Sequence, residues 1–409
     1  MSKILCIVAE YNPLHNGHVY HIKESKKIVD PDYTICIMSG NFVERGDTSI
    51  IDKWSKAEVA LNYGFDLVIE LPTIYSISSA ENFANGALKI LKYFSNNELY
   101  LSFGSETNNI NVMNDIVDVL IEEPKEYVSI LNHELSKGIS FPKARENAVL
   151  FYLNDIRRYS NILNGSNDIL AIEYLKALKR LKCNIIPISI KRIGTDYNSL
   201  KIKDRLASAT AIRNLIKNGK DVKRVMPKIS YDVLTKNIND GTFSLGIECF
   251  SKEIIYLLRK MSIREISNIP DVSEGLENRI KSAADSCNSL EELISKIKTK
   301  RYTQSRIQRI LLYVLLNISK DDILMSNRIS PYIRVLGSSQ RGKILLSNMQ
   351  HGNKKVPVIT SLKKFVDENT NKQLKRLLDI DIFSTNTYTL SYKQNSISNL
   401  DYTKKLIIK

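Results

Sequence analysis

The first twenty residues of this 409-residue chain constrain its fold and chemistry more than any other segment. An apolar run from Ile4 to Val8 predicts a buried strand. A polar turn follows, and His15-Asn16-Gly17-His18 then leads into a predicted helix beginning near His18. A helix N-terminus offers free N–H groups and partial positive charge, and Gly17 has no Cβ to keep a ligand from the backbone. Because two imidazoles three residues apart share one face of a helical turn, this segment predicts a site for the phosphates of a nucleoside triphosphate.

The sequence His15-Asn16-Gly17-His18 resembles the HxGH motif of the HIGH-type nucleotidyltransferase superfamily, which includes class I aminoacyl-tRNA synthetases and adenylyltransferases. Asn16 stands where the synthetases usually have Ile. The longer run from Glu10 to His18 resembles the bacterial tRNA(Met) cytidine acetate ligase family, and further segments agree along most of the chain. The resemblance implies that His15 and His18 are catalytic. It also implies ATP contacts along the run Ile7, Val8, Ala9, Glu10, Tyr11, Asn12, Pro13, Leu14, His15, Asn16, Gly17, His18, Val19 and Tyr20.

Short apolar runs alternate with helical patterns over residues 1–217, which predicts a Rossmann-like, doubly wound parallel sheet of the α/β class. In such sheets ligands bind outside the carboxyl ends of the strands. Residues 15–18, 39–41 and 103–106 each follow a predicted strand, so we expect them to meet in one crevice. The predicted strands are Ile4–Ala9, Tyr33–Met38, Leu67–Leu71, Leu99–Phe103 and Asn184–Ile190. The predicted helices are His18–Val29, Trp54–Tyr63, Ser79–Lys92, Met113–Glu122, Pro142–Tyr152 and Asn167–Leu181.

A second motif lies at Ser208-Ala209-Thr210-Ala211-Ile212-Arg213. Ser208 or Thr210 can cap a helix that continues to about Lys217, which puts Arg213 in its first turns. The segment resembles the ISSTxIR motif of adenylyltransferases, with Ala209 in place of the second serine. Ser208, Thr210 and Arg213 are therefore predicted phosphate contacts. The sequence has no KMSKS-like loop, which disfavours an aminoacyl-tRNA synthetase.

Three further positions acquire a role only from the resemblance. By residue pattern alone, Gly104 lies in an ordinary turn after a strand, Asn167 can cap a helix, and Arg192 ends a strand. The family resemblance implies that all three contact ATP, and a contact from Arg192 to phosphate would be charge-assisted. For Asn167, capping and nucleotide binding are compatible.

The polar loop at residues 39–47, with Lys53 shortly after it, is distinctive of the acetate ligase family. Asn41, Arg45 and Lys53 are predicted contacts for the carboxylate of a small acid or for pyrophosphate. A solvated loop is the alternative. His21 lies three residues after His18 and could flank the site, although a histidine on the helix surface is the simpler interpretation.

The positive charge of the chain is concentrated near its C-terminus. The formal net charge is +15; residues 1–217 contribute +1, residues 218–295 contribute −1, and residues 296–409 contribute +15. Such a block attracts a polyanion through counterion release. The alternative is an inert lysine-rich surface, but general lysine enrichment would be spread over the whole chain. We therefore predict nucleic-acid binding over residues 296–409, with contacts from Lys300, Arg301, Arg306 and Arg309 beside and on a basic amphipathic helix.

A chain of this length is expected to form two or three domains. We predict a nucleotidyltransferase-like ATP-binding catalytic domain over 1–217, a helical domain over 218–325 and a small basic α/β domain over 326–409. The sequence lacks an apolar run of about 18 residues and a secretory signal pattern. Its five cysteines form no CxxC pair, so neither a zinc site nor disulfides are expected. A reducing cytoplasm fits this composition, and Mg²⁺ carried in with ATP is the expected metal.

The resemblance implies a cytoplasmic ligase that activates acetate with ATP to acetyl-adenylate. It would then acetylate N4 of the wobble cytidine of elongator tRNA(Met), giving N4-acetylcytidine. One alternative is an adenylyltransferase acting on a small phosphorylated substrate, which leaves the basic C-terminal block unexplained. The other is a non-catalytic RNA-binding protein with a relic nucleotide pocket. No residue stands out in the sequence as a base for the cytidine amine.

Overall fold

The computed structural model describes residues 1–193, 206–350 and 356–409. The strands are β1 (Lys3–Ala9), β2 (Tyr33–Ser39), β3 (Phe42–Val43), β4 (Asp47–Thr48), β5 (Leu67–Leu71), β6 (Glu98–Ser105), β7 (Ile185–Lys191), β8 (Ile333–Ser338), β9 (Val358–Ile359) and β10 (Ile407–Ile408). The α-helices are α1 (Asn16–Val29), α2 (Lys53–Asn62), α3 (Thr73–Ser76), α4 (Ala80–Leu91), α5 (Ile110–Glu122), α6 (Lys125–Ser136), α7 (Phe141–Leu153), α8 (Ile156–Asn164), α9 (Ser166–Arg180), α10 (Ala209–Lys217), α11 (Lys228–Asn239), α12 (Ser251–Lys260), α13 (Ile263–Ser267), α14 (Leu276–Ser286), α15 (Leu290–Ile297), α16 (Gln304–Leu315), α17 (Lys320–Arg328), α18 (Gln340–Gln350), α19 (Leu362–Glu368), α20 (Lys372–Thr389) and α21 (Leu400–Thr403).

Most of the strands belong to one mixed sheet with the order β10-β8-β5-β2-β1-β6-β7, in which β9 also pairs with β8. All of these pairs are parallel except β5 and β8, which are antiparallel. The strands β3 and β4 form a separate antiparallel hairpin. The prediction of an α/β fold built on a mostly parallel sheet is confirmed.

The strand order reverses beside β1. From β1 the sheet grows towards β2 and β5 on one side, and later in the chain towards β6 and β7 on the other. In open α/β sheets a ligand binds at such a switch point, outside the carboxyl ends of the strands. The order of the strands therefore places a crevice at the carboxyl ends of β1 and β6.

All five strands predicted within residues 1–217 are present, but three helices, α3, α6 and α8, were missed. Helix α3 is a single turn of four residues, and Tyr127 is the one residue of α6 that is fully buried. Helix α8 has nine residues, and its buried Tyr159, Ile162 and Leu163 extend over little more than one turn. Without an apolar stripe over several turns the helical period is hard to detect from sequence. Helix α1 starts at Asn16, two residues before the predicted start, because His15 caps it.

The C-terminal segment differs from the prediction of a separate small α/β domain over residues 326–409. Strands β8 and β10 extend the sheet that contains β1, and β8 lies antiparallel on β5. Helix α20 joins the same core, where the Tyr388 hydroxyl donates to the Ser49 carbonyl over 2.8 Å. Pairing between strands about 270 residues apart leaves no local sequence signal. Across the described part of the chain, no helix is both long enough and apolar enough to span a bilayer.

Candidate active site

The two histidines of the HNGH run form a reciprocal cap at the start of α1. His15 Nδ1 accepts the Gly17 N–H over 3.1 Å, and His18 Nδ1 accepts the His15 N–H over 3.2 Å. The two rings stack with centroids 3.7 Å apart and planes at 26°. In a neutral imidazole one nitrogen accepts and the other carries the proton, so these contacts place each ring proton on Nε2. Each ring is thus a hydrogen-bond donor beside a helix N-terminus.

Both histidines are neutral at pH 7. Burial and the charges of Arg192 and Arg213 lower the pKa of His15 to about 3. Burial, with the neighbouring His15 and Arg192, lowers the pKa of His18 well below its usual value. A polyphosphate beside the rings would raise both pKa values, because negative charge favours the imidazolium form. The pair is therefore suited to donate hydrogen bonds to phosphate oxygens on which negative charge develops.

The histidines face a cavity of about 830 Å³ at the switch point of the sheet. This volume lies within the range of roughly 300–1,000 Å³ that is usual for small-molecule sites. Within the predicted ATP run, Leu14 is instead packed in the core, and Pro13, Asn16 and Val19 also lie outside the lining. The predicted residues that line the cavity are Ile7, Val8, Ala9, Glu10, Tyr11, Asn12, His15, Gly17, His18, Tyr20, Arg45, Gly104, Asn167, Arg192, Ser208, Arg301, Arg306 and Arg309.

Arg213 forms a hydrogen bond with the loop between β1 and α1. Arg213 Nη1 donates to the Asn12 carbonyl over 2.9 Å, and Nη2 donates to Thr210 Oγ1 over 3.1 Å. Neither Arg213 nor Thr210 lines the cavity, and their role as direct phosphate contacts stays a prediction. Ser208 does line it, and its hydroxyl also caps α10 by accepting the Ala211 N–H over 3.1 Å. Arg213 acts on the site through the loop and through its charge near His15.

The side chain of Asn12 connects the same loop to the segment after β4. Its amide donates to the Thr48 carbonyl over 3.1 Å, and its oxygen accepts the Ile50 N–H over 2.8 Å. Lys56, which is 1% exposed, supports the other side of the loop by donating to the backbone carbonyls of Glu10, Ser39 and Gly40. No sequence pattern indicates this role for Lys56, because all of its partners are backbone atoms.

Two carboxylates that the sequence analysis did not single out fix the wall that carries Asn167. Glu106 accepts the N–H groups of Asn167 and Asp168 at the start of α9, over 3.2 and 2.9 Å. In return, Asp168 accepts the N–H groups of Glu106 and Thr107, each over 3.0 Å. These reciprocal hydrogen bonds join the end of β6 to the start of α9. They link residues that lie about sixty positions apart in the sequence.

Asn167 and Arg192 meet on this wall. Arg192 Nη1 donates to Asn167 Oδ1 over 3.3 Å, and the Arg192 N–H donates to the Ser105 carbonyl over 2.9 Å. A Cβ at Gly104 would lie 3.4 Å from Arg192 Cγ, so the absence of a side chain there leaves room for the arginine stem. The structure brings all three residues together at one wall of the cavity.

Asn41 and Lys53 are buried away from the cavity, which corrects their prediction as contacts for acetate or pyrophosphate. Lys53 Nζ contacts Glu70 at 2.9 Å and Asp401 at 2.7 Å with no solvent exposure. Asn41 accepts the Lys53 N–H over 2.9 Å and donates to Thr385 over 3.3 Å. A lysine whose ammonium group is fully paired within the core has no donor left for a substrate. Arg45, by contrast, lines the cavity.

The helical region contributes an arginine-rich wall to the same cavity. Arg306 donates to the Asp271 carbonyl over 2.7 and 3.0 Å, and Arg309 Nε donates to the Asp271 carboxylate over 3.0 Å. Both arginines and Arg301 face the cavity. The sequence had suggested an outward basic face, but the side chains point to the same space as the histidines. Lys300 is exposed and lies outside the lining.

His21 is part of the site rather than a surface residue. Its Nε2 lies 3.0 Å from the Ser102 hydroxyl of β6, and the ring lines the cavity. Burial and the charge of Arg192 lower its pKa to about 4. The simpler interpretation of a histidine on the helix surface is therefore wrong, because the neighbouring strand that receives this face of α1 cannot be identified from local sequence.

The stacked histidines at a helix N-terminus, on the switch point of a parallel sheet, define a nucleotidyltransferase of the HIGH type. A profile of the family described as HIGH Nucleotidyl Transferase matches residues 2–403.

Similarity to individual proteins identifies the family within this class. The tRNA(Met) cytidine acetate ligase of Acetivibrio thermocellus is 42% identical over 99% of this chain and 100% of that protein. The ligase of the same name from Caldanaerobacter subterraneus subsp. tengcongensis is 44% identical over 98% of this chain and 99% of that protein. Crystal structures of Thermotoga maritima TmcAL, 33% identical, cover all of both chains, with TM-scores of 0.94 for the apo form and 0.91 for the form bound with alpha-thio ATP. The chain belongs to the tRNA(Met) cytidine acetate ligase family.

Proposed function

We propose that this protein is an ATP-dependent ligase that activates acetate to acetyl-adenylate and transfers the acetyl group to N4 of the wobble cytidine of elongator tRNA(Met). One observation carries the proposal: a single cavity joins a wall of stacked neutral histidines to a wall of arginines from the helical region. The first wall suits a triphosphate and the second suits an RNA backbone. The tRNA substrate places such an enzyme in the cytoplasm.

In the first step, an acetate oxygen attacks the α-phosphorus of ATP, and the bond to pyrophosphate breaks. The Nε2–H groups of His15 and His18 would donate to the α-phosphate oxygens, where charge develops in the transition state. Arg192 and the helix N-terminus add positive potential on the same side. Arg45 is the predicted contact for acetate or pyrophosphate that remains on the cavity wall.

Mg²⁺ is proposed to enter with the nucleotide. Within residues 1–193, 206–350 and 356–409, no group of three or more His, Cys, Asp or Glu could hold a metal ion. The ATP phosphates and water would therefore provide its ligands, as is usual for Mg²⁺ at nucleotide sites. The ion would neutralise charge on the departing pyrophosphate.

The test is to incubate the protein with ATP, labelled acetate and tRNA, and to measure acetyl-AMP, pyrophosphate and N4-acetylcytidine. The variant His18→Ala is expected to lower the rate of acetyl-AMP formation by about 10²–10³-fold, as for loss of one preorganised donor. The exposed His133→Ala variant is the matched control. Turnover of ATP with a phosphorylated small molecule but not with acetate would contradict the proposal, and so would ATP binding without turnover.

A further inference from the structure

Glu44 is a carboxylate on the cavity lining that the first step does not use. Glu44 follows β3, and its backbone N–H donates to Glu10 Oε1 over 2.8 Å. Its Oε2 lies 3.3 Å from Arg45 Nε, and 22% of its side chain is exposed. Both Glu44 and Arg45 line the cavity. Glu44 is therefore fixed at the carboxyl end of the sheet with its carboxylate at the surface of the site.

The buried hydroxyl of Tyr174, a second residue of the cavity lining, has no partner in the described part of the chain. Tyr174 on α9 is 2% exposed, and its ring stacks on Phe103 with centroids 5.9 Å apart. Tyr174 lines the cavity, yet among the described residues nothing accepts from or donates to its hydroxyl oxygen. Leaving a buried hydroxyl unpaired costs about 1–3 kcal/mol, so a partner supplied by a bound ligand would satisfy it.

Glu44 and Tyr174 both line the cavity. Burial, followed by the charges of Glu10 and Glu44, raises the pKa of the Tyr174 hydroxyl. The phenol is therefore a donor at neutral pH, and the Glu44 carboxylate is an acceptor on the lining of the same cavity. Cytosine offers the complementary pair on its Watson–Crick edge, an N4–H donor beside the N3 acceptor. Uracil has an oxygen in place of the amine, which a carboxylate would repel.

We propose that Glu44 accepts a hydrogen bond from the cytidine N4 amine and takes its proton during acetyl transfer, while Tyr174 donates to N3. This proposal rests on the proposed function and deepens it, because it names the base for the second step.

In the transfer step, the lone pair of cytidine N4 attacks the acetyl carbonyl carbon of acetyl-AMP. A C–N bond forms, and the bond from that carbon to the AMP oxygen breaks. AMP leaves as its anion. The N4 proton passes to the Glu44 carboxylate and then to water. The mixed anhydride supplies all of the activation, so no further reactant is required.

The acid–base behaviour of Glu44 depends on groups from four elements. Arg45 lies on its own loop, Glu10 follows β1, Tyr174 is on α9 and Arg309 is on α16. Burial raises the pKa of Glu44, Glu10 raises it further, and Arg45 and Arg309 oppose the rise. The net shift is upward, which makes the carboxylate a better proton acceptor near neutral pH. The rate of acetyl transfer should therefore fall on the acid side as Glu44 becomes protonated.

The test separates the two steps. With Glu44→Gln, acetyl-AMP formation from ATP and labelled acetate should stay within about twofold, while single-turnover acetylation of tRNA should fall by roughly 10²–10⁴-fold, the usual contribution of a general base. The fall in transfer rate at acid pH should disappear in Glu44→Gln. Glu44→Asp should retain part of the transfer rate and also the fall at acid pH. Tyr174→Phe should slow transfer but retain the fall at acid pH.

Glu122→Gln is the matched control, since this carboxylate is exposed at the end of α5 and lies outside the cavity lining. It should leave both steps and the pH profile unchanged. Transfer at the wild-type rate by Glu44→Gln would overturn the inference, and so would an equal loss of acetyl-AMP formation. If the wild-type protein makes no acetyl-AMP from acetate, the proposed function itself fails, which is a different outcome.

Discussion

Lys53, the first residue of α2, forms an ion pair of 2.7 Å with Asp401 of α21, and neither side chain has any solvent exposure. Arg334 on β8 contacts the same aspartate at 2.6 Å and Glu70 at 3.2 Å. These charges connect β5, β8 and α21. The basic C-terminal segment is therefore part of the catalytic fold, and its outermost residues help to close the sheet.

Replacing Asp401 by alanine is expected to lower the free energy of unfolding by about 3–5 kcal/mol, because removal of one partner leaves buried positive charges uncompensated. Urea denaturation of the purified variant measures this change. Glu368→Ala is the control, since Glu368 pairs with Lys364 on the surface at 3.9 Å and such pairs contribute about 0–1 kcal/mol. Equal effects of the two substitutions would refute the role given to the buried network.

Acidification from pH 6.5 towards pH 4 should destabilise the protein through its cavity histidines. The pKa values of His15 and His21 are lowered to about 3 and about 4, so in this window the unfolded chain binds more protons than the folded one. Each histidine with a lowered pKa reduces the free energy of unfolding by up to about 1.4 kcal/mol for every pH unit of acidification within this window. Buried Asp381 opposes this trend, because burial and the charge of Glu70 raise its pKa to about 6.

The contribution of one histidine is isolated by comparing variants. His15→Asn should reduce the slope of stability against pH between 6.5 and 4, measured by urea denaturation at several pH values, and His133→Asn at an exposed position of α6 should not. An unchanged slope in His15→Asn would show that this ring is not held neutral in the folded protein.

Glu106→Gln should weaken ATP binding without removing activity. The amide replaces one of the oxygens that accept the N–H groups of Asn167 and Asp168, so the wall that carries Asn167 and Arg192 loses its fixed position. Loss of about 1 kcal/mol corresponds to a rise of roughly fivefold in KM for ATP, measurable by ATP–pyrophosphate exchange. Glu122→Gln at an exposed position is the control, and an unchanged KM in Glu106→Gln would contradict the assignment.

Arg309→Gln should weaken tRNA binding and reduce its dependence on salt. If Arg309 contacts one phosphate, its loss lowers the slope of log K against log salt by about 1. Filter binding over a series of salt concentrations measures the slope. Arg376→Gln is the control, because Arg376 pairs with Asp322 on a different surface and lies outside the cavity lining. Equal slopes for the wild-type protein and Arg309→Gln would exclude Arg309 from the RNA contact.

The sequence was sufficient for the elements that local patterns encode. The apolar run of β1 and the histidines of α1 predicted a phosphate site, and the alternation of strands and helices predicted the parallel sheet. The motif resemblance then led to Gly104, Asn167 and Arg192, which the structure assembles on one wall. These signals are local because caps, turns and buried strands depend on residues a few positions apart.

Only the tertiary structure decided which polar residues face the site and which stabilise the core. Lys53 and Arg45 are eight positions apart on similar polar segments, yet one is paired in the core and the other lines the cavity. Glu44 and Tyr174 are 130 residues apart in the sequence, and both line the cavity. Their environments depend on long-range strand pairing and helix packing, and a charged residue is stable in the core only when that packing brings its partner. A linear pattern carries no information about such partners.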